Sequence, residues 1–217
     1  NTYTWDGPIY TTIYDTGGTD TIDVSGYDGL DITLDLTPGT ISYIGTEEIK
    51  AQIPNGTGSS NYTWGSTGFP VGIAEGTYIE NATTGDGADT ITCNISANVI
   101  TCGSGADTVY SIGAGDTVYG GAGNDYFIDP SFSVTLIDGG DGTDYLKFTG
   151  QGTVLTSTGW WGHDLRDFTD AQLTGVEYID LTYSGATDLV ISKQFILDLE
   201  VAQGWDIDED GDKDDIV

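Results

Sequence analysis

The 217-residue chain has no methionine, one histidine, two cysteines and only five lysines and arginines. It has no run of about eighteen apolar residues, which excludes a membrane-spanning helix. Nothing near residue 1 shows the charged, apolar and small-residue succession of a secretory signal peptide. With His163 as the sole histidine, a zinc centre of the H-E-x-x-H kind cannot be assembled. The few basic residues face 35 aspartates and glutamates, a net charge of −30. Phosphate recognition needs the opposite sign, so nucleic acid is excluded as a partner. A folded chain with this imbalance strains against its own field, and divalent cations are the simplest relief. Adaptation to high salinity is compatible with the same composition.

What is abundant is glycine, with 33 residues, and threonine and tyrosine, which favour turns and strands over helices. Five nine-residue units run without a gap from Thr84 to Ile128. Their sixth positions are Asp89, Asn98, Asp107, Asp116 and Asp125, and their eighths are Ile91, Ile100, Val109, Val118 and Phe127. Gly120 to Ile128 matches the pattern G-G-x-G-x-D-x-U-x at every defined position, and Gly139 to Lys147 matches it again.

A period of nine divides into six residues of turn and three of strand. Two units then complete one coil of a flattened solenoid with a parallel sheet on each side, and the eighth residue points inward. Glycines let each turn aim backbone carbonyls into the gap between coils. Turns on one edge recur every eighteen residues, so Asp89, Asp107 and Asp125 stack, while Asn98 and Asp116 fall on the opposite edge. Bare stacked aspartates repel; an ion between them turns the repulsion into a ligand shell. Calcium takes about six to eight oxygens from carboxylates and carbonyls, which is the donor set on offer. The expectation is a chain folded with several Ca2+ ions and loose without them. Cys93 and Cys102 open adjacent units, hence lie on opposite edges and beyond the ~7 Å reach of a disulfide, so two free thiols are expected.

Upstream, three motifs occur in order: Tyr14-Asp15-Thr16-Gly17-Gly18-Thr19-Asp20-Thr21-Ile22-Asp23-Val24-Ser25-Gly26-Tyr27, then Ile32 to Gly39, then Val71 to Ala82 with Glu80-Asn81-Ala82 at its end. Together with the repeats they resemble the C-terminal calcium β-roll domain of the serralysin-type secreted metalloproteases, of the repeats-in-toxin (RTX) class, over about residues 3 to 147. The resemblance implies calcium ligands at Asp15, Gly17, Gly18 and Asp20, joined by Glu80 and the Tyr78 carbonyl. Further ligands of that first site would lie at or before residue 1. Glu80 also falls on the sixth position of a unit beginning at Glu75, which makes it the first member of a carboxylate column. Within the roll the family pattern implies one site from Gly85, Gly87, Asp89, Cys102, Ser104 and Asp107. A second takes Gly103, Gly105, Asp107, Gly120, Ala122 and Asp125. A third joins Gly121, Gly123 and Asp125 to Gly139, Asp141 and Asp144; its spacing is nineteen, which demands a bulged residue. The edge with Asn98 and Asp116 is expected to bind more weakly, since Asn replaces Asp and Ala114 stands where glycine belongs.

Beyond Gly150 the resemblance fades. Trp160, Trp161, His163 and Arg166 suit either a solenoid cap or a sugar or partner platform. Further strands are expected between Phe168 and Ser192, and a short helix over Ser192 to Ala202. The tail carries Asp206, Asp208 and Asp210 in the start of a calcium loop, but Val217 stands where an EF-hand has its glutamate; a shorter calcium loop and a merely acidic tail both remain. Asp215-Ile216-Val217 resembles the terminus read by type I secretion channels. The expected architecture is therefore all-β: residues 1–83 a β-rich lead, 84–147 the calcium β-roll, and 148–217 capping strands, helix and acidic tail. The expected function is a non-catalytic secreted calcium module that folds outside the cell and supports export and stability of its parent, which could be a zinc protease. The rival is a calcium-dependent structural or adhesive protein of the cell surface that self-assembles or binds a surface partner. An enzyme using a carboxylate pair is the least supported, because the acids sit in turns with calcium spacing.

Overall fold

The computed structural model describes residues 1–5, 10–27, 29–45, 50–52, 61–63, 68–149, 170–180 and 190–192. The Trp160–Arg166 cluster, the expected helix after Ser192 and the acidic tail with Asp206, Asp208 and Asp210 lie outside these residues.

The described chain is nearly all strand. Seven strands form one wholly parallel sheet in the order Thr2–Thr4, Thr21–Asp23, Asn81–Thr83, Val99–Ser104, Thr117–Gly123, Leu136–Gly142 and Leu173–Thr174. A ten-stranded sheet runs Val190–Ser192, Tyr178–Asp180, Tyr145–Lys147, Tyr126–Ile128, Thr108–Tyr110, Thr90–Thr92, Ile32–Asp35, Ile41–Ile44, Phe69–Ile73 and Thr11–Ile13. From Asn81 to Asp180 the described strands alternate between the two sheets. Up to Tyr126 each return to the same sheet lands eighteen residues on: Thr90 pairs with Thr108 and Thr108 with Tyr126, as Asn81 pairs with Val99 and Val99 with Thr117.

This register puts equal unit positions side by side. Ile91, Ile100, Val109, Val118 and Phe127, the five eighth positions, are fully buried in one cluster that joins both sheets. The flanking seventh and ninth positions are less buried, and threonine and tyrosine fill all of them but Val99 and the buried Ile128. Cys93 and Cys102 are both buried and unpaired, as the opposite-edge geometry requires.

The nineteen-residue step is absorbed away from the third expected site. Thr117 pairs with Leu136 and Tyr126 with Tyr145, so both sheets take the extra residue between Ile128 and Leu136. The backbone amides of Thr135 and Leu136 both donate to the Asp116 carbonyl, at 2.8 and 3.2 Å, and this shared acceptor marks the bulge. The turn from Gly139 to Asp144 stays in register with that from Gly120 to Asp125.

Residues 1–83 depart from simple repetition. Ile41–Ile44 runs antiparallel to Ile32–Asp35 and to Phe69–Ile73, and Lys50–Gln52 pairs with Asn61–Thr63 as a separate ribbon. Ile32–Asp35 itself pairs parallel with Thr90–Thr92, so this lead extends the same sheet.

Two substitutions test the packing. Phe127→Ala should cost about 3–5 kcal/mol in chemical denaturation, because a fully buried ring leaves a cavity. At Gly123, φ is +138° and an added methyl would lie 1.5 Å from the Gly105 carbonyl oxygen. Gly123→Ala should therefore prevent neighbouring turns from meeting and lower the melting temperature, where Ala122→Gly on the exposed side of that turn leaves it nearly unchanged.

Candidate metal centre

Each sixth position precedes a strand, so its side chain sits where turn becomes sheet. On the edge that feeds the ten-stranded sheet the side chains link into a ladder. Asp107 accepts the backbone amide of Asp89 on Oδ1 at 2.8 Å, Asp125 accepts that of Asp107 at 2.9 Å, and Asp144 accepts that of Asp125 at 2.8 Å. The ladder starts at the Ile32 amide, which donates to Asp89 Oδ1 at 2.8 Å, and ends at Glu177, which accepts from the Asp144 amide at 2.7 Å. One oxygen of each aspartate is thereby used. The other is not: Oδ2 of Asp89, Asp107, Asp125 and Asp144 is buried without a hydrogen-bond partner, and so is Oδ2 of Asp20.

An unsatisfied buried polar atom costs about 1–3 kcal/mol, and more when charged. Five such atoms together reach the scale of a whole domain's stability, about 5–15 kcal/mol. The protein itself offers only protonation as relief. Burial pushes the Asp107 carboxyl up to about 7 and that of Asp144 up to about 6, and it raises Asp89 and Asp125 as well.

The space beside these oxygens is lined by more oxygen. A methyl on Gly120 would lie 2.2 Å from Asp125 Oδ2 and 2.6 Å from the Gly139 carbonyl oxygen. At Gly105 it would lie 1.7 Å from the Gly87 carbonyl, and at Gly121 2.0 Å from that of Gly103. Gly85, Gly87, Gly103, Gly105, Gly121 and Gly123 thus each turn a carbonyl toward the next turn. Some of the expected carbonyl donors also accept hydrogen bonds: Gly85 from the Ser104 amide, Ser104 from Gly87, Ala122 from Gly105, and Cys102 from the Thr84 hydroxyl. A carbonyl has two lone pairs, so each keeps one for a cation. Asp141 is exposed and pairs in register with Ala122. Among the described residues no three His, Cys, Asp or Glu side chains converge as a side-chain-only metal centre needs. The oxygens here come from carboxylates and backbone together, the donor set a hard cation such as Ca2+ takes, and buried Oδ2 atoms without partners fit that ion.

The opposite edge is chemically different. Asn98, fully buried, gives its amide nitrogen to the carbonyls of Ile79 and Glu80, both at 3.1 Å, and to Asn94 Oδ1 at 3.2 Å. Asn94 gives its own to Ile79 and Leu36 at 2.7 and 3.1 Å. Asp116 accepts the Asn98 amide on Oδ1 at 2.7 Å and the Gly113 amide on Oδ2 at 2.6 Å. Every buried side-chain oxygen in this group has a protein partner. Asparagine NH2 groups occupy the carbonyl cage that, on the other edge, only oxygens surround.

Farther up this edge, Asp15 accepts from the Gly17 amide at 2.9 Å and from the Tyr3 hydroxyl and Asn1 side chain at 2.6 Å each. These bonds, the Tyr3 hydroxyl foremost, hold its carboxyl down at about 2. Asp20 is fully buried; its Oδ1 meets the Asn1 amino group at 2.7 Å, and its backbone amide donates to Glu80 at 2.8 Å. Gly17 and Gly18 both take φ +134°, and Tyr78 is exposed. Asp15, Asp20 and Glu80 are thus neighbours, although sixty residues separate Asp20 from Glu80.

Two participants escape the nine-residue pattern. Asn94 stands at a second position, where the consensus has glycine. Glu177 lies beyond the repeats, yet Glu177-Tyr178-Ile179 repeats the acid, tyrosine, aliphatic order of Asp144-Tyr145-Leu146, and that phase was a readable signal.

No family model matches the chain, and no curated protein matches it.

The raised carboxyl values fix a pH dependence. In a chelator, protonated Asp107 and Asp144 stabilise the fold below the unfolded carboxylate value of about 3.9, and that stabilisation is lost as pH rises through about 6 to 7. Thermal melts in chelator should therefore fall from pH 4 to pH 7, and Asp107→Asn should flatten the slope. Asn98→Ala should cost about 2–4 kcal/mol equally with calcium and in chelator at pH 4, since it strips donors from buried carbonyls; a calcium-dependent loss would speak against the amide-filled edge.

Proposed function

We propose that the chain is a non-catalytic calcium-binding module of the RTX kind, a parallel β-roll solenoid whose coils are stapled along one edge by Ca2+. The observation that carries this is the row of buried, partnerless Oδ2 atoms at Asp89, Asp107, Asp125 and Asp144, recurring with the pitch of the sheets. Eighteen-residue returns, full burial of every eighth position, and carbonyls turned between the glycine turns support the same reading. The likeness of Asp15 to Asp20, Ile32 to Gly39 and Val71 to Ala82 to the serralysin C-terminal domain points the same way. Asp15 and Asp20 with Glu80 would hold an ion at the upper end of the opposite edge.

The chemistry suits a protein that works outside the cell. Where calcium is scarce, the carboxylates repel and the chain stays extended, which eases export; where it is millimolar, binding to the folded state alone stabilises by mass action. The module then supports the stability of the protein to which it belongs. A single ion between two turns would supply charge neutralisation and oxygen-to-oxygen bridging; the turns supply orientation, through the ladder of Oδ1 bonds that leaves every Oδ2 without a protein partner.

A second reading, a structural or adhesive surface protein, draws on a row of aromatic side chains. Tyr126, Tyr145 and Tyr178 stack across adjacent strands, with centroids 4.9 and 5.2 Å apart, on the outer face of the ten-stranded sheet. Among the described residues no helix is long and apolar enough to cross a membrane.

In chelator at neutral pH, far-ultraviolet circular dichroism should show loss of β structure, recovered by calcium and poorly by magnesium, whose octahedral demand a carbonyl-rich gap does not meet. Spectra unchanged by chelator would overturn the proposal. Sedimentation in the same samples separates the two readings: a monomer that folds supports the module, and assembly on calcium addition supports the surface protein.

A further inference from the structure

The ladder of the metal edge does not stop with the repeats, and from its last rung we infer a further divalent-cation site between Asp144 and Glu177. The inference rests on the calcium reading above and adds to it a position outside the nine-residue pattern.

Three observations define the site. Glu177 accepts the Asp144 backbone amide at 2.7 Å, the same bond that Asp107, Asp125 and Asp144 each make to the aspartate of the preceding turn on that edge. Asp144 is fully buried, and its Oδ2 has no partner. The ground around it repeats that of the preceding turn: a methyl on Gly139 would lie 2.5 Å from Asp144 Oδ2 and 2.3 Å from the Gly175 carbonyl oxygen, as one on Gly120 would meet Asp125 Oδ2 and the Gly139 carbonyl. A buried carboxylate oxygen, a backbone carbonyl and a second carboxylate therefore meet once more, although thirty-three residues separate Asp144 from Glu177 in place of eighteen or nineteen.

The choice of glutamate has a geometric reason. Asp138 pairs with Thr174 and Tyr145 with Tyr178, so the turn between the strands is residues 139–144 in one pass and only 175–177 in the next. A turn shortened by three residues sets its backbone farther from the gap, and the extra methylene of glutamate restores the reach. Gly175 takes φ +62°, a left-handed turn that brings its carbonyl against Gly139. Three protein oxygens, from Asp144, Glu177 and Gly175, leave room for water in a calcium shell of about six to eight, so this ion binds less tightly than those between full glycine turns. Its consequence is structural: it ties Leu173–Thr174 and Tyr178–Asp180 to the end of the repeat.

Calcium titration calorimetry on the full chain, compared with Glu177→Gln, tests this. Glutamine keeps an oxygen for the Asp144 amide and removes the charge. The expected result is one calcium equivalent fewer in the variant, with the remaining equivalents unchanged. Calcium-dependent hydrogen-exchange protection should vanish at Tyr178–Asp180 and persist at Thr108–Tyr110. Equal stoichiometry and equal protection in wild type and variant would overturn the site while leaving the calcium reading standing. A wild-type chain that binds no calcium would overturn both. Glu177→Asp, which keeps charge and shortens the reach, guards against a misfolded glutamine variant: weakening confined to one ion supports the site, and undiminished binding of every ion overturns it.

Discussion

Everything on the edge that carries Asp89, Asp107, Asp125 and Asp144 depends on a carboxylate whose two oxygens are asked to do different things. Oδ1 accepts a backbone amide from the turn before, which locks side-chain direction and the spacing of the turns together. Oδ2 is left buried and without a partner. The parallel pairing, the glycine turns and the narrow aliphatic core bring the column together, and the column then presents an electrostatic deficit that the polypeptide alone does not cover.

The two edges meet the same problem with different chemistry. Both surround a row of backbone carbonyls with side chains at every eighteenth residue. On one edge the side chains are acids, each with a buried oxygen that no protein donor reaches, and in the proposed calcium module a cation is the complement. On the other, Asn94 and Asn98 bring NH2 donors to the carbonyls of Leu36, Ile79 and Glu80, and Asp116 is filled by amides. An amide donor does locally what an ion does without regard to its concentration. In the proposed calcium module this divides the structure into a part joined by its own hydrogen bonds, next to the residue 1–83 lead, and a part joined by metal. Folding that begins at the first and extends along the second would need no separate template.

The charge of −30 takes its place in this arrangement. In the proposed calcium module, acids that are repulsive in an extended chain become ligands when the turns align, so the property that opposes compaction is the one that makes it conditional. The raised carboxyls of Asp107 and Asp144 express the same conflict in protons.

Most of this could be read from the sequence because strand and turn are local and the period is strict. Phase alone assigned Ile91, Ile100, Val109, Val118 and Phe127 to the core, set Asp89, Asp107 and Asp125 in one column, and kept Cys93 from Cys102. What it left to the tertiary structure was whatever interrupts the period. The extra residue had to fall somewhere between Ile128 and Leu136, and only the backbone pairing put it at Thr135, where the Asp116 carbonyl has a free lone pair for a second amide. Asn98 read as a weakened ligand, because no spacing rule says that Ile79, Glu80 and Asn94 lie within reach of its amide. Glu177 lay outside the count altogether; a three-residue turn and a longer side chain return it to the column. Periodicity determines which residues share a line, since it is fixed by the geometry of the chain. Which partner each polar atom finds along that line depends on approach between segments distant in sequence, and only the folded structure decides it.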